Sequence, residues 1–140
     1  MSDDLDLTPL RREVLDMIKA SARPIKAYEL LGLLSRRRGR VARAPTIYRT
    51  LDYLTRCGLI HRIESLNAYQ ACAHAPACPE HVFLICDDCG EVSEIESMDA
   101  RIALEIASTA RQFRAEQVSI EVHGACRACG TETPARAKKP

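Results

Sequence analysis

The stretch APTIYRTLDYLTRCG (residues 44–58) decides the fold of the front half of this chain. It predicts a helix that begins at Pro45 and stops at Gly58, because proline suits a first helical position and glycine ends helices without steric cost. One face is apolar and carries Ile47, Leu51 and Leu54. The opposite face carries Arg49, Asp52, Tyr53 and Arg56, with Tyr48 beside them. Such a face suits contacts to phosphates and guanine edges in a DNA major groove.

The elements around this helix predict a winged helix-turn-helix. Thr8-Pro9 marks the start of a first helix that runs to about Ala20, and a second helix runs from about Ala27 to the Gly39 region. LIHRIES (59–65) and AYQAC (68–72) are two strand-like runs joined by turn residues. Three helices and a hairpin place the third helix as the DNA reader. The alternative is an ordinary solvated helix, since exposed Arg and Tyr are common.

Charge is unevenly distributed between the two halves of the chain. Residues 1–62 hold thirteen Lys and Arg against seven Asp and Glu, a net charge of +6, whereas residues 63–140 hold seven against twelve, a net charge of −5. A basic front half favours binding of a polyanion there. Ordinary surface charge that happens to segregate would give the same count, so charge alone does not decide the function.

The back half predicts a small α/β unit. VFLIC (82–86) and EVSEI (91–95) are β-rich, Asp99 is expected to cap a helix over residues 100–113, and VSIEV (118–122) is a further strand. The predicted class is therefore α+β. A winged-helix domain with a hinge (1–80) precedes a dimerisation and metal-binding domain (81–130), and a disordered tail (131–140) follows.

Two CxxCG units stand out in this half: Cys86, Cys89, Cys126 and Cys129. Thiolates two residues apart hold two corners of a tetrahedron, so the doubled motif predicts a zinc site with four cysteine ligands. A redox pair or disulfides are the less favoured alternatives. Four thiolates leave no open position on the metal, so we expect a structural zinc and no enzyme.

The segment between the two halves is rich in further potential metal ligands, namely His61, Cys72, His74, Cys78 and His81. A second metal site there would couple metal occupancy to domain placement. The chain has no apolar run of transmembrane length, and its acidic N-terminus lacks a signal-peptide pattern. We therefore expect a cytoplasmic protein with no membrane partner.

Four stretches carry a family resemblance: APTIYRTLDYL, HRIESLNAYQAC, FLICDDCGEVSEI and EVHGACRACG. Together they resemble the ferric uptake regulator superfamily, and most of all its zinc uptake regulator branch, over about residues 7–130. The resemblance implies a homodimeric repressor that binds a double-stranded DNA operator with an inverted repeat when zinc is bound. It implies one structural and at least one regulatory zinc per chain.

The resemblance also implies roles for single residues. The DNA contacts map onto Tyr28, Tyr48 and Arg49, with Arg56 on the same outer face of the helix. The sensing zinc maps onto His61, Cys72, Glu94 and a loop histidine, here His81. His74 or Cys78 could take the place of His81, and His123 could belong to a further site.

Two alternatives remain for the function. An iron-, manganese- or peroxide-responsive repressor of the same superfamily is the first, although the thiolate of Cys72 favours zinc. A zinc-dependent hydrolase is the second, since His, Cys and Glu can form an open catalytic site.

Overall fold

A computed structural model describes residues 7–72, 81–116 and 118–130 of the chain. The predicted tail, His74 and Cys78 lie outside these ranges. The chain divides into two compact units, Met1–Cys78 and Pro79–Pro140, which are treated separately below. None of the helices in the described ranges is long and apolar enough to cross a bilayer.

Three helices open the first unit: α1 (Pro9–Ala20), α2 (Ala27–Arg38) and α3 (Ala44–Arg56). The predicted cap of α1 is present, because the Thr8 side chain accepts a hydrogen bond from the Arg11 backbone N–H at 3.3 Å. Helix α2 ends at Gly39, whose φ of 63° lies in the left-handed region that glycine adopts without strain.

The end of α3 is a Schellman turn around Gly58. The N–H of Gly58 (φ 74°) donates to the Thr55 carbonyl at 3.0 Å, and the N–H of Leu59 donates to the Leu54 carbonyl at 3.0 Å. These two bonds satisfy carbonyls that the helix end would leave open. The turn directs the chain into the strand that follows.

A single apolar core joins the three helices and the hairpin. Its central side chains, Leu30, Leu51 and Leu54, are fully buried. Each contributes on the order of 2 kcal/mol to the free energy of folding through removal from water. The predicted apolar face of α3 is therefore the face that packs inward.

A β-hairpin completes the first unit. Strand β1 (Ile60–Ile63) pairs antiparallel with β2 (Ala68–Ala71), and His61 lies opposite Gln70. Asn67 adopts a φ of 48° in the turn, a conformation that asparagine tolerates better than most residues. An isolated bridge between Ile25 and Tyr69 joins the hairpin to the segment between α1 and α2. This is the predicted winged-helix order.

The second unit is a three-stranded sheet in the order β4-β3-β5. Its elements are β3 (His81–Cys86), β4 (Val92–Ile95), α4 (Met98–Ala110), β5 (Ser119–Gly124) and α5 (Arg127–Gly130). Strand β3 pairs antiparallel with β4 and parallel with β5. The parallel pair needs a crossover, which α4 supplies. Helices and sheet together confirm the α+β class.

Helix α4 differs from the sequence prediction in its bounds and in its cap. Ser97, not Asp99, is the N-cap: its hydroxyl accepts a hydrogen bond from the Ala100 N–H at 3.2 Å. The helix starts two residues early because serine is the better placed acceptor, and Asp99 lies in the first turn. None of the residues of α4 is buried within this chain, and Ile102 and Ile106 are exposed by 46% and 66%.

Candidate metal and nucleic-acid sites

Two tight turns, which we call the knuckles, position the four predicted zinc thiols. The first knuckle (residues 86–91) follows β3, and the Gly90 N–H donates to the Cys86 carbonyl at 2.9 Å. Gly90 has a φ of 78°, which explains why glycine follows the second cysteine. The second knuckle (residues 126–130) is a short helical turn after β5, in which the Cys129 N–H donates to the Cys126 carbonyl at 3.1 Å.

The four Sγ atoms of Cys86, Cys89, Cys126 and Cys129 all lie within 4.8 Å of one another. The Sγ atoms of Cys89 and Cys126 are 3.8 Å apart. A tetrahedral zinc with Zn–S bonds of about 2.3 Å separates its sulfurs by about 3.8 Å, so this spacing fits the ion. A closed shell of four thiolates supplies structural cross-linking and no open coordination position.

Hydrogen bonds make the four thiols unequal. Hydrogen bonds from the backbone N–H groups of Cys89 and Cys126 lower the pKa of the Cys86 thiol to about 6. The backbone nitrogen of Cys126 lies 3.3 Å from the Sγ atom of Cys86. A hydrogen bond with the Cys126 side chain, together with burial, raises the pKa of Cys129 to about 12. Backbone donors aimed at sulfur stabilise thiolate, the form that binds metal.

His123 lies between two carboxylates at the edge of this cluster. Its Nδ1 atom is 2.9 Å from Oδ1 of Asp87 in the first knuckle, and its Nε2 atom is 3.6 Å from Oε2 of Glu121 on β5. The hydrogen bond with Asp87 raises the pKa of His123 above its ordinary value. The sequence pointed to His123 as a candidate ligand and gave no indication of its contact with Asp87.

His81 and Glu94 meet inside the second unit. The Nδ1 atom of His81, at the start of β3, is 2.5 Å from Oε1 of Glu94 on β4. The Glu94 side chain is 1% exposed and the His81 side chain 14% exposed. A carboxylate removed from water requires a cationic or hydrogen-bonding partner, which the imidazole provides here. Two residues of the predicted sensing set are thus in direct contact.

His61 and Cys72 belong to the hairpin of the first unit. Both are half-buried. The Cys72 N–H donates to the Leu59 carbonyl at 3.0 Å, which extends the β1–β2 ladder by one position. Because side chains alternate along a strand, Cys72 lies on the same face as Gln70, the residue opposite His61. The hairpin therefore brings His61 and Cys72 onto one face.

The predicted DNA-contacting residues are exposed on the first unit. Tyr28 is at the start of α2, and Tyr48, Arg49 and Arg56 are on the outer face of α3. Tyr28 and Tyr48 are 68% and 53% exposed, which leaves their rings and hydroxyl groups accessible. Arginine forks and tyrosine hydroxyls on a reader helix can contact phosphates and base edges.

Tyr53 departs from the prediction that placed it on this outer face. It is half-buried and packs against the apolar core, and the Arg11 guanidinium lies 3.6 Å from its ring centroid. The arginine covers the ring because a cation stacks favourably on an aromatic face. The sequence did not single out Arg11, which is separated from Tyr53 by more than forty positions.

A family model described as the ferric uptake regulator family matches residues 2–131. The zinc uptake regulation protein of Escherichia coli (strain K12) is 38% identical over 125 residues, which cover 88% of this chain and 72% of that protein.

Two solved structures share this fold along most of their length. The crystal structure described as holo XcZur has a TM-score of 0.81 and 40% identity, and the match covers 89% of this chain and 86% of that one. A zinc uptake regulator complexed with zinc and DNA has a TM-score of 0.83 and 36% identity, with 89% and 83% covered.

Proposed function

Because the chain belongs to the ferric uptake regulator family, we propose that it is a zinc-responsive transcriptional repressor acting in the cytoplasm. Its zinc-loaded homodimer binds an inverted-repeat DNA operator and represses zinc-uptake genes. The observation that carries this proposal is the likeness, over 89% of the chain, to a zinc uptake regulator complexed with zinc and DNA.

Membership of a family of transcription regulators agrees with the expectation that the chain is not an enzyme. The chemistry of the four-thiol cluster points the same way, because a zinc ion held by four thiolates has no position left for a substrate or a reactive water. We therefore assign the Cys86, Cys89, Cys126 and Cys129 cluster to a structural zinc of the second unit.

We assign the regulatory zinc to His61, Cys72, His81 and Glu94. Two observations, one from each unit, support this set: the hairpin places His61 and Cys72 on one face, and His81 contacts Glu94 at 2.5 Å. One thiolate among imidazole and carboxylate ligands favours zinc over iron or manganese. His74 and Cys78 are alternatives to His81.

Zinc bound by ligands from both units would restrict the position of the winged helix relative to the second unit. In a dimer this selects the arrangement in which the two α3 helices enter successive major grooves, about 34 Å apart. The zinc ion favours one arrangement of an existing ensemble, so operator affinity rises although no DNA-contacting residue changes.

The homodimer is supported by the apolar surface of α4. Met98, Ile102 and Ile106 recur at intervals of four residues and are exposed, so they form one stripe along the helix. A helix with an exposed apolar stripe gains stability when a second copy covers it.

The test is operator binding by the purified protein in buffered zinc, with bound zinc counted in parallel. The wild-type chain should bind only when the regulatory zinc is loaded. Cys72→Ser should lose zinc-dependent binding and keep one tightly held zinc per chain. Cys57→Ser, which removes a half-buried thiol at the end of α3, is the matched control and should behave as wild type.

Two outcomes would contradict the proposal. Normal operator binding by Cys72→Ser would show that the sensing ligands are assigned wrongly. Operator binding that requires iron or manganese and does not depend on zinc would show that the protein senses another metal.

A further inference from the structure

A small cleft lies between the first turn of α1 and the reader helix α3. We call it the α1–α3 cleft. Its volume is about 200 Å³, and its lining residues are Thr8, Leu10, Arg11, Thr46, Arg49 and Thr50. Two arginines and three threonines around so small a volume make it a concave, positively charged surface with several hydrogen-bond donors.

Arg11 is fixed in this cleft by the ring of Tyr53. Its guanidinium carbon lies 3.6 Å from the ring centroid, so the aromatic ring covers one face of the guanidinium. A stacked guanidinium keeps its N–H groups at the edge of its plane, where they remain available to an acceptor. The stacking therefore orients the donors of Arg11 and does not use them.

Within the described part of the first unit, no carboxylate forms an ion pair with the two arginines of the cleft. Among the described residues of the first unit, the ion pairs join Arg38 to Glu13 at 2.8 Å and Arg62 to Glu64 at 3.2 Å. Neither Arg11 nor Arg49 takes part in them. Glu13, an acidic residue of α1 two positions from Arg11, is engaged by Arg38.

The threonines differ in what they can offer a ligand. The Thr50 hydroxyl donates to the Thr46 carbonyl at 2.8 Å and is buried, so its donor is used inside the helix. The Thr46 side chain is exposed at the start of α3. The Thr8 hydroxyl accepts from the Arg11 N–H and retains its own proton for donation.

We propose that the α1–α3 cleft binds a backbone phosphate of the operator, with Arg11 as its principal ligand and Thr46 as a second donor. This inference rests on the proposed DNA-binding function and extends the interface from α3 to α1. Arg49, which lines the same cleft, lies beside this phosphate while it contacts DNA from α3. A phosphate contact positions the reader helix and carries no sequence information itself.

The experiment compares Arg11→Gln with Arg12→Gln in the zinc-loaded full chain. Arg12 is the next residue of α1, is exposed and does not line the cleft, so the same charge is removed outside the site. Operator affinity is measured from about 50 to 200 mM salt. For Arg11→Gln the slope of log K against log salt concentration should fall in magnitude by about 1.8 for the dimer, because each of the two protomers loses one phosphate contact worth about 0.9. Arg12→Gln should keep the wild-type slope.

Two further variants separate phosphate binding from stabilisation of Tyr53. Arg11→Lys keeps the charge and loses the planar stack, so it should keep the wild-type slope even if its melting temperature falls. Thr46→Val removes only a hydroxyl and should weaken binding about threefold on operator and unrelated DNA alike. If Arg11→Gln does not fold, these two variants still test whether the cleft binds a phosphate.

The outcomes distinguish this inference from the proposed function. If the wild-type chain binds operator with zinc while Arg11→Gln keeps its slope, or Thr46→Val keeps its affinity, the phosphate assignment is overturned. If the zinc-loaded wild-type chain does not bind operator DNA, the proposed function itself is wrong, and the phosphate assignment is overturned with it.

Discussion

The Nδ1 atom of His81 lies 2.5 Å from Oε1 of Glu94, across two adjacent strands of the second unit. Glu94 is opposite Phe83 in the β3–β4 register, so His81 is its diagonal neighbour on the same face of the sheet. The carboxylate is 1% exposed, and a buried carboxylate needs a cation or a hydrogen-bond donor. The imidazole supplies this partner in the structure, and a zinc ion can supply it when bound.

We predict that Glu94→Gln removes the regulatory zinc and leaves the structural zinc in place. The substitution keeps the shape of the side chain and replaces the carboxylate, a zinc ligand, with a neutral amide that binds zinc more weakly. Metal analysis after dialysis against a moderate chelator should find one zinc per chain, and zinc should no longer enhance operator binding. Glu96→Gln, an exposed neighbour, is the control and should match wild type. Full zinc content in Glu94→Gln would remove Glu94 from the ligand set.

The structural zinc should contribute more to stability than any single side chain of the second unit. The buried residues of this unit among those described all lie on β3, namely Val82, Phe83, Ile85 and Cys86, and α4 buries none. Such a small core needs a cross-link, and structural zinc in small domains stabilises the fold by on the order of 10 kcal/mol.

Cys126→Ser should therefore lose the tightly held zinc and unfold the second unit at a lower temperature than wild type. Circular dichroism melting with parallel zinc counting measures both effects. A strong chelator should have the same effect on the wild-type chain. Cys57→Ser removes a thiol outside the cluster and should retain both zinc and the high melting temperature. Retention of tight zinc by Cys126→Ser would contradict the four-thiol assignment.

Local signals in the sequence predicted much of the first unit. The Thr8 cap, the apolar face of α3 and Gly58 each act on residues only a few positions away in the sequence, so the effect of each can be predicted from spacing alone. Tyr53 shows the limit of this reading: its position on the helix predicted exposure, but Arg11 covers it from another helix. A contact between residues far apart in sequence leaves no periodic signal.

The second unit was predicted less completely for a related reason. The CxxCG spacing indicated the thiol cluster, because tetrahedral coordination of a metal fixes the spacing of two cysteines that lie close together in the sequence. The cap of α4 was assigned to Asp99, since Ser97 and Asp99 are both good caps and their ranking depends on the backbone of the preceding turn. Burial of α4 could not be read from its composition, because an apolar stripe is the same whether it packs within the chain or against a second copy.

We predict that Ile102→Asp disrupts the homodimer and leaves each unit folded. Ile102 and Ile106 are exposed in the single chain, so a charge there costs little in the monomer and much in an apolar interface. Light scattering should show a monomer, and operator affinity should fall steeply because each chain then reads one half-site. Ala107→Asp, on the opposite face of α4, should remain dimeric. A dimeric Ile102→Asp would exclude this stripe from the interface.

His123 provides the last prediction, because its two ring nitrogens already face carboxylates on either side. Nδ1 lies 2.9 Å from Asp87 and Nε2 lies 3.6 Å from Glu121, so the ring joins the first knuckle to β5. His123→Gln should therefore leave the zinc content per chain unchanged and lower the melting temperature of the second unit slightly. Arg127→Gln, a change at an exposed position within the second knuckle, is the control. Loss of one zinc ion from His123→Gln, with Arg127→Gln unaffected, would show that His123 is a metal ligand.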